Sequence, residues 1–432
     1  MKRTTLRLFF SLFSMVLLLA ACSPQSALGD GVQPTPTPAT GTTSIETCPA
    51  SIRQLPTCLT PKAMRQAYGI QSLYQKGYTG KGQTVIDIVS FGSPTIQQDM
   101  QVFDQTFNLP PVNLQVIAPL NVPEYDPNHD KAGWAGETTL DVQIIHALAP
   151  DAKIVLLVSP VAEIEGVTGL PEFRQLEQYA IDNKLGNIVS HSWGASELTF
   201  KDAQGQAELK AWDQLLEKGT TQQGMTYFSS SGDNGATDYA DMQGKKIANV
   251  ATTSFAASSP WVTSVGGTNL VNNNGVFKEQ AWSGSGGGFS QFYSIPSYQQ
   301  LLPPATQEQF KNRRGVPDVS AVADPFTGMA VYISGNWTQA GGTSASAPVW
   351  SAIMAIANQM AGRPLGFINP ALYKIATSSD YQQAFRDITQ GNNDNLTAKV
   401  KGYSATTGWD AVTGLGTPNA AYLIPALIKE IK

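Results

Sequence analysis

Short apolar runs alternating with polar, helix-compatible stretches restrict the architecture open to this chain. Residues 83–91 (QTVIDIVSF) read as a buried strand, 95–107 as a helix and 114–117 as a short strand. Residues 137–148 put Leu140, Ile144, Ile145 and Leu148 on one side of a helix. Residues 152–159 (AKIVLLVS) are an apolar strand, 173–183 an amphipathic helix, 187–190 a strand, 207–216 a helix and 225–229 a further strand. Near-continuous apolar strands separated by helices predict an α/β fold, a mostly parallel sheet with helices on both faces. No internal repeat is visible, and no second boundary follows residue 60. A single domain is therefore expected over residues 59–432. The net charge of −5 gives no reason to expect nucleic acid as a partner.

The amino terminus carries an address. Lys2, Arg3 and Arg7 precede an apolar run over residues 8–21, too short for a comfortable membrane span. It ends Leu19-Ala20-Ala21-Cys22, which resembles the lipobox of bacterial lipoproteins. That resemblance implies a signal peptide over residues 1–21, a lipid on Cys22, and an extracytoplasmic chain anchored to the bacterial cell membrane or secreted. The alternative is an ordinary secretory signal with a chance cysteine. Residues 23–44 are rich in Pro, Thr, Ser and Gly and cannot bury a core, so residues 22–58 read as a tether plus a short segment holding Cys48 and Cys58. Cysteine pairs in exported chains tend to oxidise, so a small local disulfide is expected, with two free thiols as the alternative. The scattered His129, His146 and His191 offer no metal-ligand spacing.

Four segments carry chemistry. In Gly136-Glu137-Thr138-Thr139-Leu140-Asp141, two carboxylates four apart share one helix face, and one of such a pair tends to keep a proton. Alone, this spacing is usually a solvated surface pair. In residues 227–235, a strand runs into a Gly-rich turn with Asp233 at the carboxyl end, where α/β sites gather, although an Asx-turn explains such an acid equally well. Ser285, Gly286 and Gly287 belong to a glycine run that could let a substrate backbone lie close, or be only a flexible loop. In Gly341-Gly342-Thr343-Ser344-Ala345-Ser346-Ala347-Pro348, a serine at a glycine-led turn enters an apolar helix over residues 349–360. It thus sits at a positive helix end among small neighbours.

Gly-Thr-Ser-Ala-Ser-x-Pro resembles the nucleophile segment of the subtilisin-like superfamily. A subtilisin would also carry a base histidine and an aspartate at the end of the first strand. Here Glu137 stands where the base helix starts, and Ser90 falls at the strand end. The pattern is similar to the sedolisins, the serine-carboxyl peptidases, across residues 59–427. The likeness includes Leu59-Thr60-Pro61, Ala147-Leu148-Ala149-Pro150, Ser190-His191-Ser192-Trp193-Gly194, Arg314-Gly315-Val316-Pro317-Asp318 and Thr413-Gly414-Leu415-Gly416-Thr417-Pro418. The resemblance implies Ser344 as nucleophile, Glu137 as general base and acid, Asp141 as its partner, and Asp233 in the oxyanion hole with the Ser344 N–H. It also implies a Ca²⁺ site at Asp387, Ile388, Thr406, Gly408 and Asp410, with Thr406 where a second glycine is frequent. A protonated carboxyl donor and a carboxylate base both favour acid, so a lipid-anchored endopeptidase acting on proteins or peptides at acidic pH, as a monomer, is expected. Sedolisins carry a folded propeptide, whereas only the tether precedes the domain here. That departure keeps open a catalytically silent lipoprotein that binds peptides or proteins. A subtilisin with a relocated histidine is a further alternative.

Overall fold

The computed structural model describes residues 46–52, 58–124 and 130–431, so the signal peptide, Cys22 and the tether lie outside the described residues. The compact unit runs from Glu46 to Lys432. Its centre is an eight-stranded sheet built from β1 (Thr84–Ser90), β2 (Asn113–Ile117), β3 (Lys153–Ser159), β4 (Ile188–His191), β5 (Thr226–Ser230), β6 (Thr263–Asn273), β7 (Val276–Ala281) and β8 (Val319–Val322). The spatial order is β8-β6-β5-β4-β1-β3-β2, parallel throughout, and β7 pairs antiparallel with β6. The α/β, mostly parallel expectation is met.

Strand alternation sorts the core. Val85 and Val89 of β1 face a large apolar cluster with helices α1 (Ile96–Phe107), α2 (Asp130–Leu148) and α5 (Thr343–Ala361). Ile86 and Ile88 face the opposite cluster with α3 (Leu170–Asp182) and α4 (Ala203–Gln223). Asp87 shares the parity of Val85 and Val89, so β1 points an acid toward α2.

Two helices outrun their sequence signal. α2 begins seven residues before Glu137, because Gly133, Gly136 and a half-exposed first turn carry no apolar periodicity. α4 begins where the Asp202 side chain accepts the Gly205 N–H at 2.7 Å and ends at Gly224, whose left-handed φ of 63° suits a glycine C-cap. Cys48 and Cys58 form the expected disulfide.

Candidate active site

α5 is apolar nearly all round and buried, as a central helix must be. Ser346 Oγ donates to the Ala321 carbonyl at 3.0 Å and Trp350 Nε1 to the Ser320 carbonyl at 2.9 Å, which docks the helix on β8. Its first turn therefore has a fixed position, and Ser344 sits there partly exposed. The residue before the helix, two before Ser344, must be glycine. Gly342 has φ of 93°, and a Cβ there would lie 2.7 Å from Asp233 Oδ2. The Ser344 N–H has no acceptor among the described residues, as expected for an early helical amide at an anion-binding end.

Asp233 follows β5, open to the cleft. Its Oδ1 accepts the Thr343 N–H at 2.7 Å and the Thr343 hydroxyl at 2.8 Å. Gly232 N–H in turn donates to Thr343 Oγ1 at 3.1 Å. These bonds lock the acid-bearing turn to the helix start and leave Oδ2 beside Gly342. Packing among protein atoms raises the Asp233 pKa above the ordinary carboxyl value, against the two Thr343 donors. Its exposure to water limits that rise.

Glu137 and Asp141 come from α2, which packs directly on α5. Burial raises the Glu137 pKa; the Ser344 hydroxyl opposes the rise, and the negative charge of Asp233 adds to it. Glu137 Oε1 is buried without a partner. Asp141 is wholly buried; its Oδ1 meets Ser192 Oγ at 3.0 Å and its Oδ2 has no partner. Burial, then Asp87, then Glu137 push its pKa well up. The four chemical residues read from the sequence thus converge. His146 instead meets Asp104 at 3.1 Å and the Pro110 carbonyl, and His191 meets Glu177 at 3.2 Å, so neither is bonded to Ser344.

Two members of the site escaped the sequence. Asp87 lies inside an apolar strand run, where a lone acid carries no spacing signal. It is fully buried, both carboxyl oxygens lack partners, and burial followed by the Glu137 charge raises its pKa well above normal. A third carboxyl therefore sits behind the Glu137–Asp141 pair. The other is Ser192, noted only as part of the Ser-His-Ser-Trp-Gly run. The stability consequence for Asp87 follows from the sign of its shift. Below the unfolded pKa the acid is protonated in both states and adds no pH dependence to stability. As pH rises toward the folded value, the unfolded chain loses a proton that the fold retains, and stability falls. Asp87→Asn should leave Tm nearly unchanged at about pH 3 and raise it by about 2–4 °C at pH 7, measured by calorimetry.

The glycine run does not meet the expectation of substrate contact. Ser285, Gly286 and Gly287 are buried. Ser285 Oγ donates to the Val412 carbonyl at 2.7 Å, and Gly286 exchanges bonds with Gly232 and Ser231. A Cβ on Gly286 or Gly287 would fall 2.0 Å from the Ser231 or Ala411 carbonyl oxygen. Close backbone packing beneath the Asp233 turn, rather than an approaching substrate, explains these glycines.

The tail residues do come together. Asp387 Oδ2 accepts the Gly408 N–H at 3.0 Å, and Asp410 accepts the N–H groups of Thr406, Val412 and Thr413. Burial pushes Asp410 up to about 7. Asp387 Oδ1 is buried without a partner, and the Ile388, Thr406 and Gly408 carbonyls accept no backbone bond among the described residues. Two carboxyls and open carbonyls suit a hard, oxygen-seeking cation. Among the described residues no group of three or more His, Cys, Asp or Glu is placed to hold a metal ion, so any cation here leans on carbonyls.

A serine at a helix amino terminus, an acid turn locked to that terminus and an acidic helix beneath, all on a parallel sheet, define the subtilisin-like class of site. The Subtilase family profile matches residues 129–394. Kumamolisin of Bacillus sp. (strain MN-32) is 34% identical over 386 residues, covering 86% of this chain and 64% of its own length. Tripeptidyl-peptidase 1 of Homo sapiens is 32% identical over 318 residues, covering 69% and 52%. The solved structure of Pseudomonas sedolisin, a serine-carboxyl proteinase complexed with pseudo-iodotyrostatin, superimposes with a TM-score of 0.72 at 28% identity, covering 87% of this chain and 99% of that one. This chain belongs to the subtilase family, in its sedolisin branch. It spans less than two thirds of the length of these curated relatives.

Proposed function

We infer that the chain is a serine-carboxyl endopeptidase that hydrolyses peptide bonds in protein or peptide substrates at acidic pH. The observation that carries this is the meeting of Ser344, Glu137 and Asp141 with Asp233 at one helix terminus. Ser344 Oγ attacks the scissile carbonyl carbon as its proton passes to Glu137, giving a tetrahedral intermediate. The oxyanion is held by the Ser344 N–H and by a protonated Asp233. Two donors already fill Asp233 Oδ1, which makes Oδ2 the oxygen that carries the donated hydrogen. Glu137 returns the proton to the leaving amine, leaving an acyl-enzyme on Ser344. Water then repeats the sequence with Glu137 as base. Asp141 shares the proton load of Glu137. The need for a protonated Asp233 as oxyanion donor is what ties the activity to acid.

The same reading extends to the tail and the amino terminus. Asp387, Asp410 and the carbonyls of Ile388, Thr406 and Gly408 would hold Ca²⁺, which would supply charge neutralisation for one buried and one half-buried acid and tie the tail to the domain. Chelation with EDTA should lower Tm by a few degrees, and added Ca²⁺, but not Asp410→Ala protein plus Ca²⁺, should restore it. An extracytoplasmic protein anchored through a lipid on Cys22 is supported by the lipobox-like sequence and by a disulfide of the kind that persists outside the cytosol. Casein digestion at about pH 4, with labelling of Ser344 by a serine-directed probe, tests the central claim. Equal digestion by wild type and Ser344→Ala would defeat it.

A further inference from the structure

The nucleophile's own carbonyl has an unusual position. In a helix the C=O of residue 344 would accept the N–H of residue 348, but residue 348 is proline and has none. The vacated acceptor is met instead by Ser192 Oγ at 3.1 Å. That same hydroxyl lies 3.0 Å from Asp141 Oδ1. Ser192 is buried and comes from the segment just after β4, so it bridges β4, α2 and α5 at the point where they meet. A hydroxyl has a single hydrogen. The Ser344 carbonyl can only accept, so when Ser192 donates to it, a full bond to Asp141 requires the carboxyl to be the donor. When Asp141 is ionised, it accepts the Ser192 hydrogen, and the Ser344 carbonyl loses its partner.

We propose that Ser192 is a positioning residue that couples the protonation of Asp141 to the backbone of the nucleophile. In the protonated state the chain runs Asp141 O–H to Ser192 Oγ, and Ser192 O–H to the Ser344 carbonyl, clamping the first turn of α5. In the ionised state the Ser192 hydrogen turns to Asp141 and the clamp opens. One proton moves and no covalent bond changes. The titratable groups facing Asp141 are Glu137 on its own helix and Asp87 on β1. α5 carries no charged residue. His191 of β4 is engaged with Glu177, Asp104 of α1 is engaged with His146, and Arg65 reaches α2 at the Ala147 carbonyl. The proposal rests on the peptidase reading, for which Ser344 must be a nucleophile. It also gives the proline of the serine segment a role: by lacking an N–H, it frees the carbonyl that Ser192 holds.

The test is the pH dependence of kcat and KM for peptide hydrolysis by wild type, Ser192→Ala, Ser192→Thr and Ser192→Cys. Ser192→Ala should lower kcat about tenfold or more with KM within about twofold, because a loosened nucleophile costs chemistry rather than binding. It should also flatten the part of the kcat profile that follows Asp141, since without the hydroxyl there is no clamp to open when that acid ionises. Ser192→Thr keeps the hydroxyl and should restore both. Ser192→Cys fills the space with a weak donor and should follow the alanine variant, which keeps the test readable if Ser192→Ala does not fold. A lower Tm with a superimposable pH profile would overturn the proposal and leave Ser192 a packing residue. Wild type inactive at every pH and unlabelled at Ser344 would instead overturn the peptidase reading itself.

Discussion

Glu137→Gln is expected to reduce kcat for peptide hydrolysis by about 10³-fold across the acidic range, nearly as severely as Ser344→Ala, while the protein stays folded. Glutamine has the size and polarity of the protonated acid but cannot take the Ser344 proton. The fold should tolerate the change because the carboxyl already pays for burial through a raised pKa, with Oε1 lacking any partner. A neutral amide removes the need to retain a proton as pH rises, so Glu137→Gln should gain stability between the unfolded carboxyl pKa and neutrality and be unchanged in strong acid. Activity lost while neutral-pH stability rises separates a chemical role from a structural one. A subtilisin-like site working through His146 or His191 predicts the opposite, an active Glu137→Gln enzyme with a neutral optimum. Stopped assays from about pH 3 to 8, with calorimetry on the same samples, distinguish the two.

How much of this was legible in the sequence depends on how each residue announces itself. The parallel strands were readable because both faces are covered, so β3 from Ile154 to Val158 is an unbroken apolar run and β1 from Val85 to Val89 is one interrupted only by Asp87. Ser344 was readable because its requirements, a left-handed glycine before it and small residues around it, are local in the chain. Glu137 and Asp141 became readable only with that serine segment beside them, since an acid pair four apart is ordinary on a surface helix. Asp87 stayed hidden because its partners are 50 and 54 positions away, across a strand-to-helix contact that no spacing records. The glycine run at 285–287 misled for a related reason. Glycine marks a close approach but not what approaches, and here it is the chain's own carbonyls at residues 231 and 411.

Asp233 gives the second large effect, and its two variants should diverge. Asp233→Ala removes a donor aimed at the developing oxyanion and should cost about 10²–10³-fold in kcat, with little change in KM, because that contact strengthens only as charge forms. It also strips Thr343 of the acceptor for its N–H and hydroxyl, so some loss of Tm accompanies it. Asp233→Asn keeps an acceptor for Thr343 and places an amide donor toward the cleft. That donor does not titrate. In wild type, activity must fall as pH rises through the Asp233 pKa, since the acid then loses its hydrogen and sets a negative charge against the oxyanion. Packing among protein atoms holds the carboxyl above its ordinary pKa, by less than full burial would because the group faces the cleft, and this moves that descending limb to higher pH than a fully solvated aspartate would give. Asp233→Asn should lose the descending limb while keeping the ascending one set by Glu137 and Asp141, converting a bell into a rise and plateau. If Asp233→Asn keeps the wild-type bell, the descending limb belongs to another group and Asp233 does not donate to the oxyanion as an acid.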